Sequence, residues 1–306
     1  MNKAKKIILA GGSGFLGGCL IKHFYNSDIQ VVVLSRNPKS PDKNILYVKW
    51  DGKTLGEWAK EIDGSDVVIN LAGRSVNCRY NEKNRKEIIN SRVDSTDIIG
   101  EAILRPTDPP KLWINSSTAA IYGDSGDAIM DESSPVPGGF SPGVAKKWEE
   151  TFNNIVTPGT RKVYLRIGLV FGKDGGVLKP FTIVTRLGLG GKFGSGKQYI
   201  SWMHELDFCR VIDWVIKNDT AEGMIICTGP APVTNAELMR TLRKVLHVPI
   251  GIPNPAFILK IGTKIIGTEH ELILMGRRVI PKYLLEHGFE FKYPHLKETL
   301  EDIFKK

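Results

Sequence analysis

The residues with the plainest chemical meaning are Gly11-Gly12-Ser13-Gly14-Phe15-Leu16-Gly17. They fit two glycine registers, Gly11-x-x-Gly14-x-x-Gly17 and Gly12-x-Gly14-x-x-Gly17. The run follows apolar residues 6–10 and precedes Phe15, Leu16, Cys19, Leu20 and Phe24, which recur at helical spacing. A strand–turn–helix junction needs backbone angles that glycine adopts cheaply, and a bare main chain lets a pyrophosphate come close. The free N–H groups and the dipole at the helix start then stabilise that anion. The other use of such glycines is a tight turn that packs helix on strand. The position at a strand–helix junction supports dinucleotide binding.

The end of the second strand bears on which dinucleotide. Sites for NAD place an Asp or Glu there for the ribose 2′-hydroxyl. Val33-Leu34-Ser35-Arg36-Asn37 contains no acid. Arg36 can form charge-assisted bonds to a 2′-phosphate, with Ser35 as a second donor. NADP(H) is therefore favoured over NAD(H), the alternative being that Arg36 is a solvated surface residue.

The elements that must position these residues are legible from apolar patterning. Residues 6–10, 29–34, 45–50, 67–71, 111–115 and 161–170 read as strands, several of them continuous, as strands buried on both faces should be. Between them lie helical segments, including 81–104 and 142–154. This βαβα alternation predicts an α/β fold, a Rossmann-type doubly wound parallel sheet. After Gly172 the texture changes: a glycine-rich loop at 188–196, a strand at 198–203, a helix at 205–217, a strand at 223–227 and a helix at 235–246. The expected organisation is a dinucleotide-binding domain over residues 1–171, with 204–228 returning to it. Residues 172–203 and 229–306 form a smaller, interleaved C-terminal α/β lobe for substrate.

Composition narrows the partners. The 306 residues carry 42 Lys+Arg against 33 Asp+Glu, a formal charge of +9. That excess suits an anionic small-molecule substrate. The basic residues are dispersed, with no zinc-finger spacing, basic arm or basic–aromatic motif, so no nucleic acid partner is expected. No apolar run nears the roughly 18–20 residues that span a bilayer, so no membrane partner is expected either. The four cysteines, Cys19, Cys78, Cys209 and Cys227, form no CxxC pair and have no histidine at ligand spacing, which argues against a metal site or a disulfide framework. The start of the chain has too short an apolar stretch for a signal peptide, and a cytoplasmic location is expected.

Further motifs carry a resemblance to a family. Ala10-Gly11-Gly12-Ser13-Gly14-Phe15-Leu16-Gly17 resembles the TGGxGFxG of the extended short-chain dehydrogenase/reductase superfamily. Asn70-Leu71-Ala72-Gly73 resembles its NxAG element, and Ser116-Ser117-Thr118-Ala119-Ala120-Ile121-Tyr122-Gly123 its SSxxxVYG element. More narrowly the chain resembles an atypical "epimerase family" branch, on Ser91-Arg92, Trp148-Glu149, His204, Gly276-Arg277-Arg278-Val279-Ile280-Pro281 and Gly288-Phe289-Glu290-Phe291. In that branch the tail is a separate domain of unknown function. The resemblance implies that Gly11, Gly14 and Gly17 cradle the pyrophosphate, with Ser13, Phe15 and Leu16 as backbone donors. Arg36 would take the 2′-phosphate and Asp51 would lie near the adenine. Leu71, Ala72 and Gly73 would pass under the riboses, with Ser116 also on the cofactor side. Ser117 or Thr118 would sit beside the nicotinamide as catalytic hydroxyls.

One departure is chemical. The superfamily uses a YxxxK pair on one helix, the lysine easing proton exchange at the tyrosine. Alignment on Trp148-Glu149 puts Ser141 at the tyrosine position and Ala145 at the lysine position. A usual structural asparagine is replaced by Arg92. Arg79, Lys83, Arg85, Tyr122, Lys146 and His204 remain as possible substitutes, each with an ordinary structural role as the alternative, and the proton donor is unassigned. Lys192 and Lys197 on the glycine-rich loop are candidate anion contacts. Two functions follow: an NADP-dependent oxidoreductase or epimerase on a small carbonyl or hydroxyl substrate, or an NADPH-binding sensor or scaffold without turnover.

Overall fold

The computed structural model describes residues 4–257, 259–260, 269 and 271–305. The outermost ends of the expected domains, and residues 258, 261–268 and 270 within the C-terminal lobe, lie outside the described residues. Along the chain come β1 (Lys6–Ala10), α1 (Phe15–Phe24), β2 (Gln30–Ser35), β3 (Ile45–Lys49), β4 (Val67–Asn70), α2 (Glu82–Ile103), β5 (Leu112–Thr118) and α3 (Phe140–Asn154). They continue with β6 (Arg161–Ile167), β7 (Leu169–Gly172), α4 (Leu178–Val184), β8 (Trp202–His204), α5 (Glu205–Lys217), β9 (Gly223–Cys227), α6 (Asn235–Val245) and α7 (Leu296–Phe304).

Seven strands form one parallel sheet in the order β9-β6-β5-β4-β1-β2-β3. This is the Rossmann-type order, with its reversal between β1 and β4. The strands are apolar throughout because both faces are covered. Ile7, Leu9, Val31, Val33 and Ile69 pack with Leu20, Phe24, Phe208 and Ile212, the apolar stripes of α1 and α5. Ile8, Val32, Leu34, Val68 and Trp113 face Ile98, Ile99, Ile103 and Phe152 on α2 and α3.

Two segments that read as single strands are each broken in two. The stretch 161–170 divides at Gly168, where a Cβ would lie 2.6 Å from Thr228 Cγ2 and 2.7 Å from Ser201 O. The backbone there is crowded by the second lobe, and β7 leaves the main sheet to pair in parallel with β8. The stretch 198–203 divides at Ser201. Tyr199–Ile200 pairs antiparallel with Val233–Thr234, while β8 joins β7. β9 pairs with β6 and returns the chain to the main sheet.

The second lobe has its own core, in which Leu238 and Leu242 of α6 meet Leu296, Leu300 and Ile303 of α7. The segment between α6 and α7 touches both lobes. Arg278–Val279 pairs in parallel with Ile129–Met130, and Leu284 and Phe289 pack into the core beside α5. Among the described residues no helix is long and apolar enough to cross a membrane.

His204 is a structural joint between the lobes. Its Nδ1 accepts the Leu206 N–H at 2.9 Å and caps α5. Its ring stacks on Tyr293 at 4.1 Å, and Nε2 lies 3.2 Å from Asp302 Oδ2, off the line of a good hydrogen bond. Burial lowers its pKa, outweighing the nearby carboxylates of Asp302, Glu205 and Asp207. A histidine lowered in this way contributes stability above its unfolded pKa of about 6.5, which is lost as pH falls below that value. Protonation also removes the lone pair that caps the helix. Asparagine caps without titrating. The stability lost between pH 7.5 and 5, measured by urea unfolding, should therefore be smaller in His204→Asn by about 1 kcal/mol. Equal losses in the two proteins would show that this cap is not what titrates.

Candidate functional site

The glycine-rich turn is held by two close approaches. Gly11 has φ +71°, and a Cβ on it would lie 2.7 Å from Ala72 Cα and N, so the turn touches the chain leaving β4. A Cβ on Gly17 would lie 2.3 Å from Gly12 O, so the first turn of α1 packs on the loop itself. Gly14 differs. Its backbone is extended (φ −82°), and the nearest atom to an added Cβ is Gly11 O at 3.8 Å. Nothing inside the protein requires glycine there, and the space in front of it is open. No side chain caps α1 and no acid lies in its first turn. The N–H groups of Phe15, Leu16 and Gly17 therefore lack intrahelical acceptors. Ser13 is exposed, Phe15 and Leu16 are half-buried, and the Phe15 ring lies against Gly172, Gly175 and Gly176. An anion with phosphate oxygens fits this cradle.

Beyond β2, the Ser35 hydroxyl donates to Asn37 O at 3.2 Å and accepts the Asn37 N–H, shaping the turn. Arg36 is exposed at that turn and makes no hydrogen bond or ion pair among the described residues. Asp51 accepts from the Thr54 hydroxyl at 2.7 Å and from the N–H groups of Thr54 and Lys53. These bonds, chiefly that of the Thr54 hydroxyl, hold its carboxyl below the usual range. Its oxygens thus serve its own turn. Along the chain leaving β4, Leu71 is half-buried, the Ala72 N–H donates to Asn70 Oδ1 at 3.0 Å, and Gly73 faces Arg92.

The floor of the cleft is a buried polar network. Asn70 Nδ2 donates to Asn115 Oδ1 at 2.8 Å, and Trp148 Nε1 donates to Thr96 Oγ1 at 3.0 Å. Ser116 Oγ donates to Asn70 O. Ser117 Oγ donates to Glu149 Oε1 at 2.5 Å, and Arg166 pairs with both oxygens of Glu149, at 2.9 and 2.7 Å. Arg166 also donates to the Tyr122 phenol, which donates to Asp131 O. Burial pushes Tyr122 up to about 12. Tyr122 is thereby a strut, and the Ser117 proton is held by a carboxylate. Thr118 at the end of β5 is half-buried, and its Oγ1 accepts the Ala120 N–H at 3.1 Å. Its own O–H remains available to a substrate oxygen.

On α3, Ser141 is half-buried and Ala145 is fully buried against Ile121 and Tyr122. Lys146 is exposed and lies 4.0 Å from Glu150, and Lys83, Lys192 and Lys197 are not drawn into the cleft floor. Arg85 donates to Tyr80 O and lies over the Phe140 ring at 4.4 Å. The Arg79 carbonyl accepts from Asn84. Arg92 packs its guanidinium against Gly73, where a Cβ would be 3.3 Å from Cζ, and over Trp148 at 5.2 Å. It donates to the carbonyls of Arg74 and Ile88, and burial lowers it to about 10.

Two further side chains carry buried polar atoms outside this network. Tyr80 is 9% exposed, with its ring 4.7 Å from Phe140 and its phenol oxygen buried without a hydrogen-bond partner. Ser141 lies beside that phenol without forming a well-aligned bond to it. Arg277, from the C-terminal segment, has a buried Nε with no partner. A tyrosine between a cysteine-containing loop and a helix carries no spacing signal. The Arg277-Arg278 doublet was visible in the sequence, but nothing there says which of the two turns inward.

Comparison with known proteins agrees with this architecture. Residues 7–227 match the NAD dependent epimerase/dehydratase family, and residues 254–303 match a domain of unknown function, DUF1731. The epimerase family protein YfhF of Bacillus subtilis is 34% identical over 305 residues, with 97% of each chain covered. The crystal structure of human epimerase family protein SDR39U1 (isoform 2) with NADPH superposes with a TM-score of 0.86 at 30% identity, covering 97% of this chain and 98% of that one. A nucleoside-diphosphate sugar epimerase from Corynebacterium glutamicum superposes with a TM-score of 0.78 at 25% identity, covering 98% of this chain and 58% of that one. The chain belongs to the NAD-dependent epimerase/dehydratase family and carries a C-terminal DUF1731 segment.

Proposed function

We propose that the protein binds NADP(H) in the cleft between β1 and β4 and acts as an oxidoreductase or epimerase on a small anionic carbonyl or hydroxyl compound. The observation that carries the reading is Gly14: a glycine that internal packing does not require, at the uncapped start of α1, facing open space. The main-chain N–H groups of residues 15–17 hold the diphosphate, and Arg36 takes the 2′-phosphate. Leu71, Ala72 and Gly73 line the path of the riboses. The NADPH present in the human SDR39U1 structure supports the same choice of cofactor. A bound nicotinamide supplies a hydride donor or acceptor. Thr118 offers its free O–H to the substrate oxygen, while the Ser117–Glu149–Arg166–Tyr122 network keeps β5 and α3 in register. A second reading, an NADPH-responsive protein without turnover, draws on Ser141 and Ala145 standing where the superfamily has its tyrosine and lysine.

Calorimetric titration with NADPH and NADH tests the cofactor. Arg36→Ala should cost NADPH roughly 1.5–3 kcal/mol and leave NADH unchanged, since a charge-assisted bond to the 2′-phosphate is lost. Equal losses for both would remove the 2′-phosphate assignment. Gly14→Ala should lower stability by about 1 kcal/mol or less, a capping effect. It should weaken either dinucleotide at least about tenfold, or 1.4 kcal/mol. A Gly14→Ala protein that binds dinucleotides like the wild type would overturn the cradle. Turnover is decided by stopped-flow oxidation of bound NADPH across a carbonyl panel. Rates above the solvent background exclude the reading without turnover, and their absence across the panel excludes the enzyme reading for those compounds.

A further inference from the structure

We propose that one face of the second lobe, built from α4, the turn that extends it and residues 249–257, docks the protein on an anionic phospholipid bilayer. Its aliphatic side chains enter the acyl boundary, and its lysines and arginines meet the headgroup phosphates. The inference does not depend on what fills the cleft.

Three observations converge. The first is a group of exposed apolar side chains. Ile183, Leu187, Leu189, Ile250, Ile252 and Phe257 are each 40–69% exposed. Nearly half of the strongly exposed large apolar side chains among the described residues are these six. Such exposure belongs to a convex surface and not to the wall of a pocket. Single residues of this kind are ordinary, whereas a contiguous group marks a contact surface. These six are contiguous. Ile183 and Leu187 stand four residues apart along α4 and its extension. The Ile252 N–H donates to Gly188 O at 2.9 Å, and the Ile252 carbonyl accepts the Gly191 N–H at 3.1 Å. Asn254 Nδ2 donates to Leu189 O at 2.7 Å. A Cβ on Gly194 would lie 3.8 Å from the Cβ of Ala256, the neighbour of Phe257.

The second observation is charge. Residues 175–204 and 238–257 contain no Asp or Glu, although acids make up 33 of the 306 residues. Lys179, Arg186, Lys192 and Lys244 are exposed there and form no ion pair among the described residues. The third is a groove beside the apolar group. Lys179, Ile183 and Arg186 line an open groove of about 620 Å³ together with Lys173 and Lys305. Asp174, which also lines it, is paired with Lys22.

Charge and shape together select the occupant. Two copies of so basic a face repel one another. A nucleic acid strand stacks its bases on aromatic rings, and Phe257 is the one aromatic among the six. A bilayer with anionic headgroups takes up both parts of the face, the apolar side chains and the cations around them. The expectation of no membrane partner rested on the lack of a spanning run, and lying against a bilayer requires none. The loops are also stiff enough to present their side chains. A Cβ on Gly191 would lie 2.4 Å from the carbonyl carbon of Ile252, and Arg243 donates to Gly190 O while lying against Gly251.

Sedimentation of the full chain with sucrose-loaded vesicles tests the proposal. The vesicles contain phosphatidylcholine alone or mixed equally with phosphatidylglycerol. Wild type should bind the mixed vesicles at least tenfold more tightly than phosphatidylcholine alone. Raising the salt from about 0.1 to about 0.5 M should weaken that binding at least fivefold. Leu187→Ser/Ile252→Ser and Lys179→Glu/Arg186→Glu should each weaken it at least tenfold. Both should keep Tm within about 2 °C, since the altered side chains are exposed. Ile250→Ser/Phe257→Ser repeats the apolar test if the first apolar pair lowers Tm further. Val156→Ser, at an exposed apolar residue outside this face, should bind like wild type. The proposal is overturned if wild type leaves the mixed vesicles unbound, if a folded pair variant binds like wild type, or if Val156→Ser loses as much. Self-association that Leu187→Ser/Ile252→Ser abolishes, without vesicle binding, would assign the face to a second copy. A loss of NADPH affinity in the pair variants would assign it to the cleft. Either result also overturns the proposal.

Discussion

The cleft depends on how closely two chain segments pass where β1 and β4 leave the sheet. Gly11 lies so near Ala72 that no side chain fits between them. That contact brings the bare amides at the start of α1 beside the segment 71–73 that leaves β4. The sheet order places the reversal of direction at this point, so the helices after β1 and β4 diverge and a crevice opens. A phosphate cradle on one side and a strip of small residues on the other then follow from a single packing constraint. Phe15, pressed on Gly172, Gly175 and Gly176, ties the cradle to the second lobe.

On α3, Ser141 is half-buried and Ala145 fully buried, and Glu149 anchors the helix. Glu149 accepts from Ser117 on β5 and from Arg166 on β6, so one carboxylate joins helix and sheet. Such a buried pair is weak evidence for added stability, because both ions lose hydration. Its value here is positional: it fixes the depth of α3 against β5 and leaves Thr118 as the free hydroxyl of the Ser117–Thr118 pair. Ala145, small and fully buried, lets the helix approach Ile121 and Tyr122 closely.

The fold was legible because the strands are apolar on both faces and the glycine turn stands between a strand and a helix. The breaks at Gly168 and Ser201 were not legible. They arise where the second lobe crowds the sheet, and local sequence carries no record of a distant Thr228 or of the backbone of residue 277. In the cleft, motif spacing gave the expectation that Ser141 and Ala145 stand where the superfamily has its tyrosine and lysine. The buried, unpartnered Tyr80 phenol and Arg277 Nε were not legible there, since neither position carries a spacing signal. Glu149 served as an alignment marker in the sequence, and its bonds to Ser117 and Arg166 emerge only from packing.

The C-terminal segment is therefore more than a cover on the second lobe. Its helix α7 buries Leu296, Leu300 and Ile303 against α6, while Leu284 and Phe289 join the core beside α5. Ahead of both anchorages in the chain, residues 276–279 run past Ser125 on one side and Ser201 on the other, bonded to both. Those bonds fix the main chain at Arg277, which is half-buried with its Nε fully covered. The segment thus joins the two lobes by main-chain bonds as well as by apolar side chains.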